Sequence, residues 1–288
     1  MQLPDAETFL AAPRKAIALV GMSGVGKTRL SEALRDTGDW FHYSVDYRIG
    51  TRYLGERIAD DFKREAMKSP VLRELLRSDS IRIASKLSFH NLQPLSVWLG
   101  KPGDPAKGGM AFEEYLARQR QHREAEIAAM LDARSFIDRA RELYAYAHFV
   151  CDTSGSICEV VDPTDPRDPV LSAMSRAMLP VYIRASEAHV AALKARFDRA
   201  PKPMYYREEM LLAFWSEYLA TTGEAPDRVD PDAFIRWGFA RLIDHRRPLY
   251  QAIADRWGVT VEAEALADAE TEEEILGAVA AALSAARG

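Results

Sequence analysis

The sequence predicts an α/β fold, and three observations carry that expectation. The chain opens as strand, loop, helix and strand, the start of a βαβ unit. Its first strand, Lys15 to Val20, is a short apolar run, as a buried parallel strand is. The turn that ends this run, Gly21-Met22-Ser23-Gly24-Val25-Gly26-Lys27-Thr28, matches the phosphate-binding pattern G-x-x-x-x-G-K-[ST]. It stands between a strand and a helix, the context that the pattern requires.

The elements follow in order. Helix-compatible residues run from Lys27 to Leu34, and Thr37-Gly38-Asp39 stops them. Trp40 to Val45 is a second strand. Ile49 to Gln93 carries Arg, Leu, Ile and Ala at helical spacing, and Lys101 to Gly109 is a loop by its Pro and Gly content. Phe112 to Leu131 is a long polar helix, and 54–119 reads as a mostly helical insertion. Ala147 to Cys151 is the third strand. Asp162 to Pro169 is loop, because each Pro removes a donor and disfavours helix at the residue before it. Pro180 to Ile183 is the fourth strand. Helices are expected over Glu187 to Phe197 and Tyr206 to Leu219. A linker follows at 221–231, then a helix over Asp232 to Arg256 with an interruption near Pro248. Val259 to Val261 is a weak last strand. Thr271 to Arg287 is a terminal helix with acids in its first turn, where the helix dipole favours them.

Composition bounds the function. The 288 residues are enough for one large domain or two small ones. A net charge of −5 gives no support for a nucleic-acid surface. No apolar run reaches about 18 residues, so no membrane span is expected. Residues 1–13 carry Asp5 and Glu7 and no basic start, so they do not read as a signal peptide. Cys151 and Cys158 fit neither a redox pair nor a zinc knuckle, and read as reduced thiols in a cytoplasmic protein. The six histidines are scattered, with no metal-binding spacing. The aromatics Phe214, Trp215, Tyr218, Phe234 and Trp237 recur at helical spacing and read as core.

The glycine-rich loop carries the chemistry. Its glycines let backbone N–H groups converge on an anion. The following helix aims its positive end at the same point. Lys27 reaches the β- and γ-phosphates, and the Thr28 hydroxyl can ligate Mg²⁺. The expected nucleotide-binding set is Gly21, Ser23, Gly24, Val25, Gly26, Lys27, Thr28 and Arg29. The absence of an N-K-x-D motif favours ATP over GTP.

The order of the remaining motifs resembles the shikimate kinase branch of the nucleoside-kinase-like P-loop proteins. Ser44-Val45-Asp46-Tyr47-Arg48-Ile49 stands where that family has Asp-x-Asp followed by Ile. Arg123-Glu124-Ala125-Glu126 matches its Arg-x-x-Glu, displaced by the insertion. Cys151-Asp152-Thr153-Ser154-Gly155-Ser156 matches its strand ending in a Gly-rich turn. Arg196-Phe197-Asp198-Arg199, with Lys202-Pro203, stands where its lid arginines lie. Arg246-Arg247-Pro248-Leu249-Tyr250 matches its Arg-x-Pro-Leu-Tyr. The resemblance implies a three-layer α/β/α P-loop sandwich over 1–288, with a parallel sheet of about five strands and a large helical insertion. Within it, 54–119 would be the acceptor-site subdomain and 196–205 the lid. Ser44 replaces the first acid of the pair, and a single Gly155 replaces a run of glycines. The implied activity is therefore ATP- and Mg²⁺-dependent phosphoryl transfer to a hydroxyl of a small anionic metabolite, the acceptor being different from shikimate or unknown.

Each role has an alternative. Lys27, Asp46, Arg196 and Arg199 are the catalytic set, with Asp46 the carboxylate for the acceptor hydroxyl or else a helix cap. Asp152 joins Thr28 as the metal set, or else is an Asx-turn residue. Asp46, Arg123, Gly155 and Arg246 form the acceptor set; both arginines could instead be solvated or salt-bridged. Arg196 and Arg199 could be a solvated helix end. The rival function is a regulatory P-loop ATPase whose helical insertion binds a protein partner.

Overall fold

The structure is a computed structural model, and it describes residues 3–286. The chain forms two compact units, one drawn from Met1–Val45, Glu126–Pro201 and Arg236–Gly288, the other from Asp46–Ala125 and Lys202–Ile235.

In the first unit, helix α1 (Ala6–Ala11) precedes strand β1 (Ala16–Val20), helix α2 (Lys27–Asp36) and strand β2 (Trp40–Ser44). The second unit then begins. It holds α3 (Val45–Arg48) from Asp46 on, a π-helical turn at Ile49–Tyr53, α4 (Gly55–Ala66), α5 (Pro70–Arg77) and α6 (Gln93–Leu99). Helix α7 (Phe112–Tyr144) belongs to the second unit up to Ala125 and to the first from Glu126. The first unit continues with β3 (His148–Asp152), α8 (Ile157–Val160), α9 (Pro169–Ala177), β4 (Leu179–Arg184) and α10 (Glu187–Arg199). Helix α11 (Glu208–Thr222) is in the second unit, and α12 (Pro231–Trp257) enters the first at Arg236. Strand β5 (Val259–Glu262) and α13 (Glu272–Ala285) close the chain.

The five strands form one parallel sheet in the order β2-β3-β1-β4-β5. This is the expected α/β class. Ile17 to Val20 of the central β1 are all buried, as a strand covered on both faces must be. At the edge, β5 alternates, with Val259 and Val261 buried and Glu262 exposed. Strand β1 connects to β2 on one side of itself, whereas β3 connects to β4 on the other. Right-handed crossovers therefore lay α2 and α9 on opposite faces. A crevice opens at the carboxyl ends of β1 and β3, where the crossovers part.

Leu30 and Leu34 of α2 and Ile275, Val279 and Leu283 of α13 are buried. On the other face, the Tyr43 hydroxyl donates to the Ala129 carbonyl of α7 (2.6 Å), and its ring stacks on Phe149 at 5.9 Å. In the second unit, Phe112 stacks on Trp215 at 4.8 Å, and Trp215 and Tyr218 meet Phe234 edge-on. Those three central aromatics are buried, as expected; Phe214 and Trp237 are half-buried, and Arg241 covers Trp237 at 3.8 Å.

Two readings of local structure need correction, and one helix lies outside the elements expected from the sequence. Residues 6–11 are helical: Asp5 caps them by accepting the Thr8 N–H at 2.7 Å. Helix α7 continues past Leu131 to Tyr144, because Ala133 and Ala140 carry its buried stripe onward. Helix α12 runs unbroken through Pro248. Proline in a helix costs roughly 3 kcal/mol. The helix persists because buried side chains flank it on both sides, Leu242 and Ile243 before, Tyr250 and Ile253 after.

Candidate functional site

The candidate site gathers at the carboxyl ends of β1 and β3. Gly21, Gly24 and Gly26 have φ of 148°, 90° and 96°, which turns the loop back over the start of α2. Lys27 opens that helix, and its ammonium lies inside the loop. It donates to the carbonyls of Gly21 (2.8 Å) and Met22 (3.1 Å). The residue is buried, 6% exposed. A loop that curls around an ammonium also has the curvature to cradle a phosphate.

At the tip of the loop, a Cβ on Gly24 would stand 2.5 Å from Nη2 of Arg196. Although exposed, the Arg196 guanidinium of α10 therefore rests on the loop; Arg199, one turn on, is exposed as well. His189 joins from the first turn of α10, with Nε2 3.3 Å from the Gly24 carbonyl oxygen.

Thr28 and Asp152 meet. The Thr28 hydroxyl donates to Asp152 Oδ2 at 2.6 Å, across 124 residues of chain. Strand register sets Ser44 of β2 beside Asp152 of β3. Buried His42 of β2 lies with Nε2 3.9 Å from Asp152 Oδ2, a neighbour that sequence reasoning missed. One hydroxyl and one carboxylate are oxygen donors suited to Mg²⁺, which keeps several waters and takes its other ligands from phosphates. No group of three or more His, Cys, Asp or Glu able to hold a metal occurs among the described residues.

Gly155 sits beneath the loop. A Cβ there would fall 2.8 Å from the Ser23 backbone nitrogen and closer still to its hydroxyl, so only glycine fits. Its carbonyl accepts from Arg246 Nη1 (2.9 Å) and from the Tyr250 hydroxyl (2.8 Å). Arg246 and Tyr250 are four residues apart on α12, so they share one face. Nε of Arg246 also donates to Glu159 Oε1 at 3.1 Å. Arg246 and Glu159 are 3% and 1% exposed. Burial works against the guanidinium charge, but Glu159, Cys158 and Tyr250 outweigh it and raise the pKa above its ordinary value. Nε and Nη1 of Arg246 thus tie Glu159 to the Gly155 carbonyl, an arrangement that braces the turn beneath the loop.

Arg29 is likewise engaged. It donates to the carbonyls of Ala269 (2.8 Å) and Leu266, tying α2 to the segment before α13. Val25 is buried behind the loop. Both cysteines are free and buried, and burial raises the Cys151 thiol and pushes Cys158 up to about 12. Glu126 of the Arg-x-x-Glu pair is buried and accepts from the Ser156 hydroxyl at 2.8 Å.

The second unit carries Asp46 and Arg123. Asp46 is half-buried in the first turn of α3, and Arg123 is exposed on α7. Residues 196–205 comprise the end of α10 and a coil. From Lys202 on, that coil is bound to α7 of the same unit: Tyr115 and Gln119 donate to the Met204 carbonyl at 2.9 and 3.2 Å, and Gln119 accepts from the Tyr206 N–H at 2.9 Å.

No protein-family profile matches the chain, and no curated protein does. Among solved structures, the shikimate kinase of Bacteroides thetaiotaomicron aligns over 95% of this chain and 99% of its own, at 14% identity and a TM-score of 0.39. The strand order and the loop geometry, not that loose likeness, carry the fold class: an α/β fold with a P-loop. Among the described residues, no helix is long and apolar enough to cross a membrane.

Proposed function

We propose that the protein is an ATP- and Mg²⁺-dependent phosphotransferase acting on a hydroxyl of a small anionic metabolite. The observation that carries this reading is the convergence on one loop of the Lys27 ammonium, the Thr28–Asp152 pair and the Arg196 guanidinium.

In this reading the loop N–H groups hold the phosphates, and Lys27 exchanges its two carbonyl partners for phosphate oxygens. Thr28 and Asp152 would hold Mg²⁺, which would supply positive charge to the phosphates. Arg196 offsets the charge that builds on the transferring group. The acceptor oxygen forms a bond to the γ-phosphorus as the bond to the β-phosphate oxygen breaks, and ADP leaves. Asp46 takes the hydroxyl proton. Arg123 is the cation assigned to the acceptor's negative group, and Gly155 supports the loop. Arg199, one turn on, is the second lid arginine of this reading and joins Arg196 in offsetting the charge on the transferring group. The assignment as a cytoplasmic enzyme belongs to the same reading.

A second reading has one observation of its own. Helix α5 buries none of its residues, and Val71 and Leu72 are 66% and 38% exposed. That apolar face favours a regulatory ATPase that recruits a protein partner. Incubating purified protein with ATP, Mg²⁺ and a metabolite pool, and reading products by mass spectrometry, separates the two. A phosphorylated metabolite that vanishes with Lys27→Ala supports the kinase. ATP binding without any phosphorylated product supports the regulator.

A further inference from the structure

A cavity of about 390 Å³ lies in the first unit, at the end of the sheet remote from the P-loop. It opens where β1, β3 and β4 begin, and residues of α1, α7 and α9 wall it. Its volume falls within the roughly 300–1,000 Å³ of small-molecule sites. The walls are apolar: Phe9, Phe149 and Met178 present buried side chains, and Ile137 joins them.

The charged side chains that line it have one sign. Among the described residues, Arg14, Lys15, Arg141 and Arg176 line the cavity and no Asp or Glu does, although Asp39 and Glu272 lie close enough to act on His148. Lys15 donates to the Ala12 carbonyl at 2.8 Å. The guanidinium groups of Arg14, Arg141 and Arg176 make no hydrogen bond or ion pair with any described residue. Other surface arginines of this unit do pair, Arg35 with Asp36, Arg184 with Glu262 and Arg247 with Glu187. Helix dipoles explain a cation in the last turns of α7 and α9. They do not explain Arg14, which stands beyond the six-residue α1. His148 adds a neutral donor. Its Nδ1 accepts the Lys15 N–H at 3.0 Å, which leaves the ring proton on Nε2. In a chain of net charge −5, this is a local positive field over an apolar hollow.

We propose that this cavity binds a small organic anion with an apolar body, its headgroup held by the arginine rim. The guanidinium fork matches a carboxylate or a phosphate ester. The site is separate from the P-loop and does not depend on the phosphotransferase reading.

Calorimetry on the full chain with octanoate, octyl phosphate and octan-1-ol tests it. At least one anion should bind saturably, one per chain, and at least about tenfold more tightly than the alcohol. The tighter of the two anions identifies the headgroup. The double variant Arg141→Gln/Arg176→Gln touches no partner, so its melting temperature should match the wild type while anion affinity falls at least about tenfold. Three results would each overturn the proposal: no saturable binding of either anion, an alcohol that binds within tenfold of both, or a folded double variant that keeps wild-type affinity. The last would place any anion elsewhere, the P-loop included.

Discussion

Replacing Arg246 by Ala removes a guanidinium that is 3% exposed and bonded to Glu159 and to the Gly155 carbonyl. The loss has two parts. Glu159, itself 1% exposed, becomes a buried carboxylate without its guanidinium partner, with His245 Nε2 at 3.8 Å. Breaking a buried pair from one side costs roughly 3–5 kcal/mol, because the surviving charge stays out of water. The Gly155 carbonyl loses one donor but keeps the Tyr250 hydroxyl, so that part is small. Against a total stability of about 5–15 kcal/mol, the sum is a large share. Urea unfolding followed by circular dichroism should show it. The paired replacement Glu159→Leu/Arg246→Met removes both charges and should recover most of the loss. If Arg246→Ala stays within about 1 kcal/mol of the wild type and only weakens acceptor binding, Arg246 is a ligand residue and the brace is refuted.

Lys27→Ala should abolish phosphoryl transfer and, since the ammonium has two carbonyl partners, also lower stability by about 1–3 kcal/mol; turnover assays and urea melts read the two effects separately. Asp152→Asn should weaken Mg²⁺-dependent ATP binding by about 10–100-fold, far more than metal-free binding, and Ser44→Asp, beside it in register, should restore part of that; equal losses with and without metal count against a metal role. Gly155→Ala should push Ser23 and lower nucleotide affinity without unfolding the sheet, and titration with a fluorescent ATP analogue would reveal unchanged affinity if the packing is slack. His148 is the pH-sensitive group: burial, then the charge of Lys15, hold its pKa below 6.5 in the folded chain. The unfolded imidazole therefore takes up a proton first, so its contribution to stability is full above 6.5 and is lost as pH falls through the window beneath. Calorimetric melting between pH 7 and 5 should show that fall, and His148→Gln should flatten it.

Local patterns carried much of the fold. The five strands were legible because each is a short run rich in apolar, aromatic or β-branched residues, bounded by Gly, Pro or polar residues. The P-loop was legible for a similar reason: its glycines act through their own φ angles and need no distant partner. Helix α1 and the second half of α7 carried signals too, Asp5 as a cap and Ala133 with Ala140 at helical spacing. They differ from the strands only in having fewer large apolar residues.

The candidate site divided along the same line. Sequence alone singled out Lys27, Thr28, Asp152, Gly155, Arg196 and Arg246, because each stands in a motif or at a strand end. It could not say what these side chains touch. Arg246 and Glu159 are 87 residues apart, and Thr28 and Asp152 are 124 apart. No spacing rule links such pairs; the sheet order does, by setting β3 beside β1 and α12 behind Gly155. His42 reached Asp152 only because β2 lies next to β3 in register. The sequence by itself determined which elements form and which loop can hold a phosphate, since both depend on residues within a turn or two of one another. Only the tertiary structure decided which charges are spent on the scaffold and which remain open, because a buried ion pair is made by the packing of distant segments and the cost of leaving either partner alone.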